Sequence, residues 1–147
     1  MRARRRICAK VLLVDRRNRV LLFSGIDRTL PDDPPVWFPV GGGANDGEPV
    51  EAAAIRETVE ETGFHIDQLG PVVSRRRAQW TFEGTLFDQD EAYFLVRTTA
   101  FDPVDHGWTD VEKATVVGHR WWSLDELRQT DEVVYPDDLV RLLERIL

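Results

Sequence analysis

The stretch from Gly42 to Phe64, GGANDGEPVEAAAIRETVEETGF, commits the chain to one well-bounded helix. Pro49 supplies a fixed φ at the first helical position and Gly63 a left-handed stop just past the last, so the spacing predicts a helix over 49–62. Glu51 falls in the first turn, where a carboxylate suits the macrodipole. Glu57, Glu60 and Glu61 fall in the last two turns, where the dipole disfavours each exposed negative charge by about 0.3 to 1 kcal/mol. Like charges one turn apart add repulsion. A sequence selected for helix stability alone would carry Lys or Arg there. At helical spacing the three carboxylates share one face, and Ala52, Ile55, Val59 and Thr62 form a stripe almost opposite. The expectation is that the stripe packs and the acid face collects a cation.

Ligands that are all oxygen select a hard cation, Mg²⁺ or Mn²⁺, over the zinc or copper that His and Cys would favour. Mg²⁺ keeps several waters and shares its other positions with substrate phosphates, which points to metal-assisted chemistry on a phosphate ester or anhydride. A solvated acidic face is the plainer alternative. Arg56 lies between the acid face and the apolar stripe, placed to hold a carboxylate in one rotamer by a bidentate pair.

The spacing of Gly42, Glu48, Arg56-Glu57, Glu60-Glu61 and Gly63-Phe64 resembles the signature of the Nudix hydrolases. Thr58, where the family usually has an aliphatic residue, and Val40, where a proline commonly precedes the glycines, depart from it without removing an acid. The resemblance implies a single Nudix hydrolase domain over 1–147, an α/β/α sandwich with a mixed β-sheet. It implies Glu57, Glu60 and Glu61 as metal ligands and catalytic residues, with the Gly41 carbonyl joining the metal shell and Glu48 supporting the cluster. Many relatives draw a further glutamate from a later loop as general base or extra ligand; Glu112 is the choice here, with Asp110 behind it.

The remaining sequence sets bounds. At 147 residues the chain suits one domain with a real core. A net charge of −7 argues against broad nucleic-acid binding through phosphate neutralisation. The single cysteine, Cys8, sits in an apolar strand pattern and reads as a small core residue, which fits a reducing cytoplasm. The start, MRARRRICAKVLLV, is too short in its apolar part, interrupted by Lys10 and without a small-residue cleavage site, so it reads as neither secretory signal nor membrane span. Its arginines at 2, 4, 5 and 6 read as a frayed basic end over 1–5.

Residues 6–14 and 19–23 read as buried strands joined by a turn, and 24–35, with three prolines, as a loop. A short strand from Trp37 leads into Gly41 to Gly43. After the helix a strand from Val72 runs through Arg75, Arg76 and Arg77. Residues 78–87 and 92–99 read as antiparallel strands with a turn at 88–91. A polar loop over 101–113 precedes a strand over 114–122. Ser123 to Glu126 is a capping box opening a short helix, and a last helix follows Pro136 with Leu139, Leu142, Leu143 and Ile146 on one face. Arg28, Trp37, Arg76 and Trp80 are the candidates for contacting a base or phosphate. His106 and His119 have no second ligand at zinc spacing.

The expected reaction is Mg²⁺-dependent hydrolysis, with Mn²⁺ as a substitute, of a phosphoanhydride in a nucleoside diphosphate linked to another moiety. Nucleoside triphosphates, oxidised ones included, stand slightly ahead. Two alternatives share the fold: a nucleotide-binding regulatory module without turnover, and an isoprenyl diphosphate isomerase, for which a buried Cys8 is a poor nucleophile. A cytoplasmic monomer or homodimer acting on a small nucleotide, with no stable nucleic-acid complex and no membrane, completes the expectation.

Overall fold

The computed structural model describes residues 2–147; Met1, part of the expected basic end, lies outside them. Among the described residues seven strands and four helices follow in chain order: β1 Arg4–Val14, β2 Val20–Gly25, β3 Val36–Gly43, α1 Val50–Thr62, β4 Val72–Phe82, β5 Thr85–Arg97, α2 Asp110–Thr115, β6 Val116–Trp122, α3 Leu124–Gln129, β7 Val133–Val134 and α4 Leu139–Ile146. Among the described residues no helix is long and apolar enough to cross a membrane.

β1 is the axis of the mixed sheet. It runs parallel to β5 from Arg4↔Phe87 to Val14↔Arg97 and antiparallel to β2 and β3. The sheet order is β4-β5-β1-β2-β3-β7, with β6 on β2. Residues Cys8 to Val14 are wholly buried apart from Lys10 at 8 %, because both faces of β1 are covered, as its largely apolar run requires. On one face Ala9, Val11 and Leu13 pack with Ala53 and Ala54 of α1. On the other, Leu12 and Val14 pack with Trp122, Leu127, Leu139, Leu142 and Leu143. The result is the expected α/β/α sandwich.

Three boundaries differ from the sequence reading. β4 and β5 form one hairpin whose turn is Glu83-Gly84, both with positive φ (47° and 83°), the twist-matched geometry for a two-residue turn. The expected turn at 88–91 lies inside β5, because its acids are internal partners. Asp88 is buried and paired with Arg5 at 3.0 Å and Arg77 at 2.8 Å. Glu91 is 1 % exposed and accepts from Tyr93 and Tyr135. The 101–113 loop ends in α2, started by a capping box in which Thr109 Oγ1 accepts from the Glu112 N–H and Glu112 Oε1 from the Thr109 N–H, so the strand expected over 114–122 starts at Val116. β1 begins at Arg4, because Arg5 is held along β5 by Asp88 and Asp90.

Candidate active site

The packing face of α1 is rotated away from the expected apolar stripe and shares only Thr62 with it. Ala53, Ala54, Thr58, Glu61 and Thr62 are buried, Ala52 is exposed, Val59 half-buried and Ile55 39 % exposed. The short side chains of Ala53 and Ala54 let the helix lie close on β1 and β3, and the glycine strand receives the acids. A Cβ on Gly42 would sit 2.6 Å from the Glu57 carboxyl carbon. Thr58 tolerates complete burial because its hydroxyl donates to the Ala54 carbonyl at 2.8 Å.

Arg56 is the hub of the acid face. Its Nη2 and Nε donate to both oxygens of Glu48 at 2.9 Å, its Nη1 to Glu57 at 3.0 Å and Glu60 at 3.1 Å, and its Nη2 also to the Gly43 carbonyl at 3.0 Å. The Arg56 guanidinium, with the Asn45 N–H behind it, holds the Glu48 carboxyl down at about 2. A planar fork is what makes these contacts at once possible; a lysine would lose most of them.

The two inner acids are strained electrostatically. Burial pushes the Glu57 carboxyl up; Arg56 opposes this, and Glu60 and Glu112 add repulsion. Burial pushes Glu61, 8 % exposed, well above the carboxylate range. The Gly41 N–H, donating to Glu61 Oε2 at 3.1 Å, and the Lys10 charge oppose that shift, while Glu57 and Glu112 reinforce it. Glu112 therefore lies within electrostatic reach of both, carried there by the first turn of α2.

As the side chains stand, no three Asp, Glu, His or Cys residues converge on a common point among the described residues. Glu57 and Glu60 are turned onto Arg56, and Glu61 onto Gly41. The donor set nevertheless fits a hard divalent cation. Two desolvated carboxylates that raise one another's affinity for positive charge, with a third on the same helix face, are the oxygen ligands such an ion takes. Binding it requires Glu57 and Glu60 to swing from Arg56.

The loop before α2 secures the helix end. No basic residue lies in the last turn of α1. Instead Trp108 Nε1 donates to the Glu61 carbonyl at 2.8 Å and the Val104 N–H to the Thr62 carbonyl at 3.0 Å, satisfying groups that a helix C-terminus leaves open. Gly107 comes so near that a Cβ would lie 2.6 Å from the Glu60 carbonyl oxygen. Sequence reasoning did not single out Trp108; one tryptophan in a polar loop was the available signal. Trp108→Phe keeps the ring edge-on to Phe23 (centroids 5.9 Å apart) but removes the donor. We expect a loss of about 1 kcal/mol, read by urea unfolding, with faster amide exchange at the end of α1.

The four candidate substrate contacts are each engaged within the protein. Arg28 is forked onto Glu83 at 2.6 and 2.8 Å. Trp37 donates to Glu132 at 3.2 Å and meets Trp122 edge-on. Arg76 pairs with Asp138 at 2.7 Å over the Tyr135 ring. Trp80 stacks on Phe87 with centroids 5.4 Å apart, its indole N–H buried without a partner. Cys8 is buried, as a core residue should be.

The model of the NUDIX domain matches residues 4–143. An RNA pyrophosphohydrolase of Sphingopyxis alaskensis is 36 % identical over 143 residues, covering 89 % of this chain and 84 % of that protein. One from Bradyrhizobium diazoefficiens is 32 % identical over 139 residues, covering 83 % and 80 %. A MutT Nudix hydrolase structure from Burkholderia pseudomallei superposes with a TM-score of 0.68 at 20 % identity, covering 98 % of this chain and 99 % of that one, which shows the shared fold. With the signature helix, the mixed sheet around it and relatives matching over most of both lengths, the chain belongs to the Nudix hydrolase family, as a pyrophosphohydrolase.

Proposed function

We propose that the chain hydrolyses a phosphoanhydride bond in a nucleoside diphosphate linked to another moiety, with nucleoside triphosphates as its free-nucleotide substrates. The observation that carries this reading is the pair of carboxylates set against a glycine strand, Glu57 beside Gly42 and Glu61 on the Gly41 N–H, an arrangement that suits a cation bridging protein to phosphate. Mg²⁺, held by Glu57, Glu60 and Glu61 with the Gly41 carbonyl, would neutralise phosphate charge and acidify a water for in-line attack. Arg56, anchored by Glu48, holds Glu57 and Glu60 while no cation is bound and would release them to it. Glu112 has Oε1 occupied by the Thr109 N–H, which leaves Oε2 to accept the proton of the attacking water as the phosphorus–oxygen bridge breaks. Trp80 would offer a ring for the base, and Arg76 would reach a phosphate only by leaving Asp138.

A second reading, removal of pyrophosphate from a 5′-triphosphorylated RNA end, is favoured by the names of the relatives. The net charge of −7 and the pairing of Arg5 and Arg77 with Asp88 restrict such a grip to the chain end. The test is a panel with Mg²⁺: nucleoside triphosphates, oxidised triphosphates, ADP-ribose, a dinucleoside polyphosphate and a 5′-triphosphorylated oligonucleotide. Binding without product release across the panel would mean a regulatory module. Because Glu57 and Glu61 must ionise against burial to hold the cation, activity should rise with pH and peak above neutral. A profile peaking near pH 5 would count against the assignment.

A further inference from the structure

Lys10 is 8 % exposed at the middle of β1, in register between Gly41 of β3 and Tyr93 of β5. Lysine is almost never buried to this extent without a partner, because an ammonium taken from water must recover its lost hydration. Lys10 recovers little of it: among the described residues it joins no ion pair within 4.0 Å and no side-chain hydrogen bond.

The neighbouring acceptors are already engaged. Glu91, on the strand beside it, accepts from Gln89 Nε2, Tyr93 Oη and Tyr135 Oη. Glu61 Oε2 accepts from the Gly41 N–H. At 8 % exposure Lys10 keeps part of its surface open, so an acceptor can reach it. By strand alternation it lies with Cys8 and Leu12, on the face away from Ala9 and Val11, and yet close enough to Glu61 to act on it through charge. The guanidinium groups nearest this surface have occupants: Arg56 holds Glu48, Glu57 and Glu60; Arg76 holds Asp138; Arg6 donates to Gln89 at 2.7 Å and lies over the Phe87 ring.

We propose that Lys10 is a substrate-binding residue whose ammonium takes a non-bridging oxygen of the diphosphate that is cleaved, beside Gly41 and Glu61. This rests on the pyrophosphohydrolase reading above. In an acidic chain the substrate's phosphates need fixed positive charge as well as a metal ion, and a buried lysine kept without a protein partner supplies it. The stability sacrificed in burying the charge is recovered when substrate binds.

The test compares wild type, Lys10→Met and Lys10→Arg by three measurements: calorimetric affinity for inorganic pyrophosphate with Mg²⁺, steady-state kinetics on the best nucleotide of the panel, and Tm without metal. Lys10→Met should weaken pyrophosphate binding and raise KM by about tenfold or more, with kcat changed less. Its Tm should be unchanged or higher, since an unpaired buried charge is gone. Lys10→Arg should restore part of the affinity. Unchanged pyrophosphate affinity and KM in Lys10→Met would overturn the proposal. A lower Tm with unchanged affinity would also overturn it, making Lys10 a countercharge for Glu61. Should wild type turn over no nucleotide while Lys10→Met still weakens pyrophosphate binding, the functional reading falls and the anion site stands.

Discussion

Glu61→Gln is expected to lower kcat by at least about tenfold, roughly 1.4 kcal/mol of transition-state stabilisation, while raising the Tm of the metal-free protein by a few degrees. Most active-site substitutions with so large a kinetic effect are not stabilising, so the combination is diagnostic. The Glu61 carboxyl is pushed up by burial and by Glu57 and Glu112, which means the folded state prefers it protonated. Stability from that preference is fully present below the unfolded value near 4.5 and is lost as pH rises through the folded value. Glutamine keeps the acceptor for the Gly41 N–H and carries no charge. Wild type without metal should therefore lose Tm from about pH 4.5 upward more steeply than Glu61→Gln. Tm measured across that range, with single-turnover rates in Mg²⁺, checks both halves. Equal rates would remove Glu61 from the mechanism, and a lower Tm at pH 8 would refute the electrostatic account.

Gly41→Ala should have the largest effect on folding, costing about 3 kcal/mol or more. Its φ is +141°, and a Cβ would lie 2.0 Å from the Ala9 carbonyl oxygen and 2.9 Å from the Lys10 Cα. Those are backbone atoms of β1, which cannot move without undoing the β1–β3 register. Gly42→Ala provides the contrast. Its added carbon meets the carboxyl of Glu57 at 2.6 Å, the far end of a flexible side chain, so the fold should survive with a change within about 1 kcal/mol. The carboxylate would be driven from its place, and activity should drop roughly tenfold. Urea unfolding separates the two variants from wild type and from each other. Equal stability of all three would show that the glycine strand is not held as tightly as these contacts require.

Several features were legible before any coordinates because their causes lie within a turn of helix or a few strand residues. Gly63 stops α1 as read, in the left-handed region at φ 79°, while Pro49 stands just outside the helix as its extended N-cap rather than at its first position. The Ser123 capping box formed with both of its hydrogen bonds. Arg56, read as holding one carboxylate by a bidentate pair, does so with Glu48 and also reaches Glu57 and Glu60. The hairpin turn at Glu83-Gly84 was missed because Asp88 and Glu91 look like turn residues until Arg5, Arg77 and Tyr135 are seen to receive them.

What the sequence by itself determined is the existence, length and charge of the α1 helix, the strands that could be buried, and the family to which their spacing belongs. Only the tertiary structure decided which side of that helix faces the sheet. An amphipathic stripe records where a helix is apolar, but the surface opposite selects the side that fits. Here a strand of glycines leaves room for carboxylates where a larger residue would have filled it. The same dependence on distant chain segments governs Trp108 at the helix end and the burial of Lys10. Both follow from contacts between residues far apart in sequence, where no local pattern can carry the information.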